Sequence, residues 1–110
     1  MKDYVIYIVI ALVIGLYFLN NSNKSKKALT MLENGSIVID VRTPQEYQSG
    51  HFPNSINIPL NSIQSKIDEI KTYDNGIVVV CASGMRSSQA KSILSKNGIK
   101  AFNGGSWKNL

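Results

Sequence analysis

One cysteine, Cys81, ends a run of β-branched residues, and four residues separate it from Arg86. The stretch from Val78 to Ala90 reads VVVCASGMRSSQA. A thiol at a strand end, followed by a short loop and the start of a helix, suits one kind of chemistry. Ala82, Ser83, Gly84 and Met85 are small or flexible enough to curl, and Gly84 can adopt backbone angles closed to other residues. A curled loop running into a helix turns successive N–H groups inward and makes an anion-binding nest. The same field favours thiolate over thiol and lowers the cysteine pKa. Arg86 adds a fixed positive charge near the mouth. Together these residues make a nucleophilic thiolate and stabilise negative charge attached to it.

Other chemistry-bearing residues are few. Asp40 stands at a strand end, as a general acid or as a brace for the loop. Arg42 either meets an anionic substrate or is a surface residue or an ion-pair partner. Arg86 has two readings, attraction of an anionic donor or pairing with a carboxylate such as Asp40. His51 is the only histidine, and it raises the idea of a Cys/His dyad. A single cysteine excludes an internal disulfide, and a single histidine beside it leaves no Cys/His cluster for a metal. Met85 reads as an apolar contact at the loop rim, Trp107 as core packing, and Gly104-Gly105 as a turn.

The elements that must position these groups follow from pattern. Ala28 to Leu32 is a short helical pattern stopped by Asn34-Gly35. Ser36 to Val41, SIVIDV, is a strand. Thr43-Pro44-Gln45-Glu46 is a capping box with proline at the first helical position, opening a short helix that Gly50 ends. Ile56 to Ile58 is a short strand closed by Pro59. Ile63, Ile67 and Ile70 recur at helical spacing, and Asn75-Gly76 is a turn. Ile77 to Cys81 is the strand best suited to full burial. Ser87 to Asn97 is a helix with Ala90, Ile93 and Leu94 on one face and Gly98 as its C-cap. Lys100 to Phe102 is a last short strand. Strands alternating with helices imply an α/β domain with a mostly parallel sheet. In such sheets ligands bind beyond the carboxyl ends of the strands, where Cys81 stands.

The N-terminal segment is different. Tyr4 to Leu19 carries no charge, and Asn20 to Asn23 extends that window to 20 residues, near the length that crosses ~30 Å of hydrocarbon. Tyr4 and Tyr7 at one end, and Tyr17 and Phe18 at the other, suit two membrane interfaces. A cleaved signal peptide is the rival, but NNSNKSKK offers no small-residue cleavage site. A buried helix is the third reading. Residues 1–23 therefore read as an anchor helix and flank, with 4–19 in lipid, 24–27 as a basic tether, and 28–110 as the domain. The lysines crowd the C-terminal flank, which places a single-pass chain's domain in the cytoplasm, and they are available to anionic headgroups. The formal charge is +5. From Ala28 onward eight Lys/Arg face six Asp/Glu, so the basic excess sits in the tether. That argues against a nucleic-acid-binding face.

The strand–CASGMRS–helix element resembles the active-site loop of the single-domain rhodaneses, a sulfurtransferase family. DVRTPQEYQSGHFPNSINIP, from Asp40 to Pro59, resembles the family's first signature, and FNGGSW, with Gly104, Gly105 and Trp107, its closing segment. The likeness runs from about Ala28 to Trp107. It implies a small rhodanese-like α/β domain with a mostly parallel sheet flanked by helices, here preceded by one transmembrane helix. It implies Cys81 as the persulfide-forming residue and Ala82, Ser83, Gly84, Met85, Arg86 and Arg42 around the substrate. Asp40 is then structural near the site, and His51 is structural. No cofactor and no metal is called for. The implied reaction moves a sulfane sulfur from thiosulfate or a persulfide to a thiol or protein acceptor. Related cysteine phosphatases and arsenate reductases have five residues between cysteine and arginine, and the tighter loop here favours a single sulfur. A non-catalytic membrane-tethered binding module is the other alternative. Asn54-Ser55 stands where relatives often carry Gly-Ala, and a left-handed Asn is tolerated there. The chain ends soon after Trp107, so a shortened terminal helix is expected.

Overall fold

The computed structural model describes residues 2–110, with side chains described for 4–16 and 26–110. The elements are α1 (Lys2–Glu33), β1 (Ile37–Asp40), α2 (Pro44–Gln48), β2 (Ile56–Asn57), α3 (Ile67–Ile70), β3 (Ile77–Cys81), α4 (Met85–Lys96) and β4 (Phe102–Ser106). Three short 3₁₀ turns, Leu60–Ser62, Gln64–Lys66 and Trp107–Asn109, complete the order. The four strands form one sheet in the order β2-β1-β3-β4, with every neighbouring pair parallel. Each return to the same end of the sheet is made by a helical crossover, as parallel pairing demands.

Strand periodicity divides the core in two. Ile77, Val79 and Cys81 of β3 face Ile63, Ile67 and Ile70 on one side and Ala90 and Leu94 of α4 on the other flank of the same layer. Val78 and Val80 point to the opposite face, where Met31, Leu32, Phe52, Phe102 and Trp107 cover them. All five β3 residues are buried, which is why this strand is a continuous apolar run. The central position of β3 brings Cys81 to the carboxyl edge of the sheet between two covered faces.

Several boundaries differ from the sequence expectation, each for a local reason. Residues 24–27 are helical rather than a separate tether, because α1 runs unbroken to Glu33, with no glycine or proline between Gly15 and Gly35 to stop it. The isoleucine-bearing segment is two 3₁₀ turns and one α-helical turn, although Ile63, Ile67 and Ile70 are all buried as their spacing requires. α4 starts at Met85, two residues before Ser87, because Gly84 caps it with φ 103°.

The last strand is Phe102–Ser106, longer than Lys100 to Phe102, and it contains the glycine pair read as a turn. Register slips there: Val79 pairs with Asn103 and Val80 with Gly105. A Cβ on Gly104 would lie 2.8 Å from Val78 Cγ1 and 3.0 Å from Val80 Cγ1. The glycine thus lets β4 cross the valines at close range, and the bulge accommodates the extra residue. Asn54 takes φ 64°, the left-handed geometry an asparagine tolerates. After Trp107 the chain makes a single 3₁₀ turn.

The anchor expected over 1–23 falls partly outside the described residues, since the side chains of 17–23 are not among them. Among the described residues no helix is long and apolar enough to cross a membrane.

Candidate active site

The site assembles where β3 ends. Cys81 is fully buried, and the loop folds over it so that the Gly84 N–H donates to Sγ at 2.9 Å. Only a left-handed residue turns the chain this sharply, and a Cβ on Gly84 would sit 3.4 Å from Gly105 Cα. The loop and the bulge of β4 are therefore packed against each other.

Sγ also reaches Ser87 Oγ at 3.5 Å, the thiol donating in its neutral form and the hydroxyl hydrogen free to turn to the sulfur once it is ionised. Ser87, buried in the first turn of α4, donates to Asn103 Oδ1 at 2.6 Å and lies 3.0 Å from Gly84 O. Asn103 in turn accepts from Gly105 N at 2.9 Å and donates to Gly84 O at 3.3 Å. Burial pushes the Cys81 pKa up and is the largest single influence. The Ser87 hydroxyl and the N–H groups of Ser87, Gly84 and Ser83 together outweigh it, and the net shift is downward from 9.0. A buried sulfur surrounded by donors is thus held toward thiolate, the nucleophilic form.

The charged residues form two separate pairs. Arg42 is buried and binds Asp40 through its fork, Nε to Oδ1 and Oδ2 at 3.0 Å each and Nη2 to Oδ2 at 2.8 Å. Its remaining donors go to the carbonyls of Glu46 and Gly50, 3.2 and 2.6 Å, and Trp107 stacks 4.8 Å from the guanidinium. Arg42 thereby ties the end of β1 to the middle of α2 and to the turn that follows it. Asp40, fully buried, braces this junction and the start of the loop after β1.

Arg86 does not meet Asp40. Its two terminal nitrogens bind the two oxygens of Glu46 at 2.6 and 3.0 Å. Glu46 is the N3 residue of the α2 capping box and also accepts from Thr43 N and Thr43 Oγ1. The Arg86 guanidinium holds its carboxyl down to about 2 from 4.5. His51 is tied to Tyr47, with Nδ1 2.8 Å from Tyr47 O and the rings stacked at 3.8 Å. Among the described residues it has no hydrogen bond to Cys81. Met85 is 75% exposed at the rim. Trp107 is half-buried, packs against the Val38, Val78 and Val80 cluster as expected, and also covers the Arg42 guanidinium.

Beside the loop lies a cavity of about 300 Å³ lined by Arg42, Glu46, Gly50, Ala82, Trp107 and Lys108. Ala82, the residue after Cys81, links it to the thiol. Among the described residues no group of His, Cys, Asp and Glu could hold a metal ion. Sequence reasoning missed Glu46, Ser87 and Asn103 as site residues. The capping-box pattern marked Glu46 but pointed it at its own backbone. Nothing in the spacing of Ser87 and Asn103 signals that a bulge 16 residues on would bring them together.

A buried cysteine held by a glycine N–H at the carboxyl edge of a parallel α/β sheet defines a class of scaffold, the rhodanese-like α/β fold. The rhodanese-like domain family matches residues 24–108, and the chain belongs to it. It is similar to the thiosulfate sulfurtransferase PspE of Escherichia coli, 41% identical over 61 residues, covering 54% of this chain and 59% of PspE. It is also similar to a tRNA uridine(34) hydroxylase of Buchnera aphidicola, 35% identical over 82 residues, covering 69% of this chain and 26% of the hydroxylase. Among solved structures, a rhodanese with anions from E. coli superposes with TM-score 0.63 at 36% identity, covering 69% of this chain and 92% of the other. The chain thus spans less than two thirds of the length of both of these curated relatives.

Proposed function

We propose that this chain is a sulfurtransferase that carries sulfane sulfur as a persulfide on Cys81. The observation that carries the reading is the Gly84 N–H 2.9 Å from a buried Sγ that is also held by Ser87. In the first half-reaction the Cys81 thiolate attacks the outer sulfur of the donor. The Sγ–S bond forms, the donor's S–S bond breaks, and its electron pair leaves with sulfite or a thiolate. Cys81 becomes a persulfide whose outer sulfur bears the negative charge, and the inward N–H groups stabilise it. In the second half-reaction a nucleophilic acceptor takes that outer sulfur and the Cys81 thiolate returns. Relatives named thiosulfate sulfurtransferases support this chemistry. Replacing Cys81 with Ser tests it: transfer of sulfur from thiosulfate or a persulfide to cyanide is abolished with the fold intact, and a folded variant that retains most transfer overturns it.

We further propose that residues 4–19 anchor the chain in a bilayer and that the domain faces the cytoplasm. Apolar side chains from Tyr4 to Leu16 stand about half or more exposed all round α1, an arrangement suited to lipid. The lysine-rich flank supports the orientation. N-terminal sequencing of membrane-extracted protein finds the native start if this holds; a start between Asn20 and Ser25, with the domain outside the membrane, contradicts it.

A further inference from the structure

The two guanidinium groups near the site are already matched by a carboxylate each. Arg42 is committed to Asp40 in a buried pair. Arg86 is committed to Glu46 through a two-point contact in which both of its terminal nitrogens are used. Glu46 is itself fixed, because Thr43 N and Thr43 Oγ1 hold the same Oε1 that Arg86 engages. A planar fork bound to a planar carboxylate has its strongest donor directions occupied. The remaining cation lining the adjoining cavity is Lys108, an exposed side chain beside Trp107. The two arginine–carboxylate pairs therefore add little net positive charge to the approach to Cys81.

This matters for the donor. Thiosulfate arrives with two negative charges and leaves as dianionic sulfite. A persulfide on a thiol carries its sulfane sulfur with at most one negative charge. An open Arg86 would favour the first, and a screened Arg86 removes that advantage. We infer that Glu46 is a specificity residue that screens Arg86 and turns the site toward thiol persulfides and away from dianionic thiosulfate. The inference rests on the sulfurtransfer reading and names its donor class. The carboxyl of Glu46 stays ionised down to about 2, so no change of pH within an ordinary assay range lifts the screen.

The test is single-turnover loading of Cys81 in the full chain, followed by mass spectrometry, with thiosulfate and cysteine persulfide as donors. Glu46→Gln is the informative variant, since glutamine at N3 still completes a capping box. Its loading rate with thiosulfate rises about tenfold, as expected when one strong charge-assisted contact becomes available. Its rate with cysteine persulfide rises much less. The double variant Glu46→Gln with Arg86→Gln loses the gain. A folded Glu46→Gln variant with unchanged or slower thiosulfate loading overturns the inference, as does an equal rise with both donors. A second measurement needs no variant. In the wild-type chain thiosulfate loading is nearly flat between about 20 mM and about 300 mM salt, because little unpaired charge steers the dianion. A steep fall with salt marks an open Arg86 and also overturns the inference. Wild-type chain that takes up sulfur but shows either of these contrary results leaves sulfurtransfer standing without the screen. Chain that takes up no sulfur from either donor removes both.

Discussion

At the scale of single residues, the site separates what makes the nucleophile from what holds it. Ser83, Gly84 and Ser87 stabilise negative charge on Cys81, and Asn103 holds Ser87 from the far side. The thiol pKa is depressed, so the reactive thiolate is present above the folded value and is lost as pH falls through it, on the acid side of 9.0. Alkylation of Cys81 by iodoacetamide, followed against pH, titrates below an ordinary thiol. Ser87→Ala shifts the midpoint upward, and an unmoved midpoint contradicts the role assigned to Ser87. Arg42 belongs to the scaffold. Arg42→Ala strands a fully buried Asp40 carboxylate, and removing one partner of a buried pair costs about 3–5 kcal/mol. Urea unfolding measures this, and a loss under 1 kcal/mol contradicts the brace (roughly the worth of a surface pair). The thiol, its loop and the two arginines were legible because their types and spacing carry chemistry. Their partners were less so. Asp40 and Arg86 both stood at strand or helix ends and looked suited to each other. Arg42, two residues along the chain, takes Asp40 first because the turn after β1 brings its fork back onto the carboxylate.

At the scale of elements, turns and close approaches decide what a pattern can show. The continuous apolar runs in SIVIDV and VVVC read directly as strands with two covered faces, and TPQE reads as the capping box that is present. Gly98 as the stop of α4 was equally plain, since it takes φ 75° and Ile99 N closes back on Leu94 O at 2.9 Å. The glycine pair was not. Gly104-Gly105 has the composition of a turn, yet Gly104 is inside β4 because two valines of β3 leave no room for a Cβ. That constraint is long-range, and no local signal encodes it. Gly104→Ala therefore overpacks the sheet and costs about 1–3 kcal/mol, read as a fall in the urea midpoint. A variant as stable as the wild type shows that β4 can step back from β3. The same close packing joins the bulge to the active-site loop through Gly84 and Gly105. Gly84→Ala, forced to φ 103° with a new contact on Gly105, slows alkylation of Cys81 as the nest opens; an unchanged rate contradicts the geometry of the loop.

At the scale of the whole molecule, a small parallel sheet places Cys81 at its carboxyl edge, and the long α1 helix leads into the sheet from the other side. The C-terminal part of α1, with Ala28, Met31 and Leu32, is part of the domain because it covers Val78 and Val80. Its exposed apolar N-terminal part gives the proposed anchor, and the two share one continuous helix. In the proposed arrangement a stiff connection of this kind would hold the domain near the bilayer instead of letting it range on a flexible linker. The central claim is that Cys81 carries sulfur between two partners. It is tested most directly by mass spectrometry of the full chain after exposure to a sulfane-sulfur donor. The account predicts one added sulfur atom on the peptide containing Cys81, removed by cyanide and absent from Cys81→Ser. A folded wild-type chain that gains no sulfur from either thiosulfate or cysteine persulfide, under conditions where its thiol alkylates readily, contradicts it.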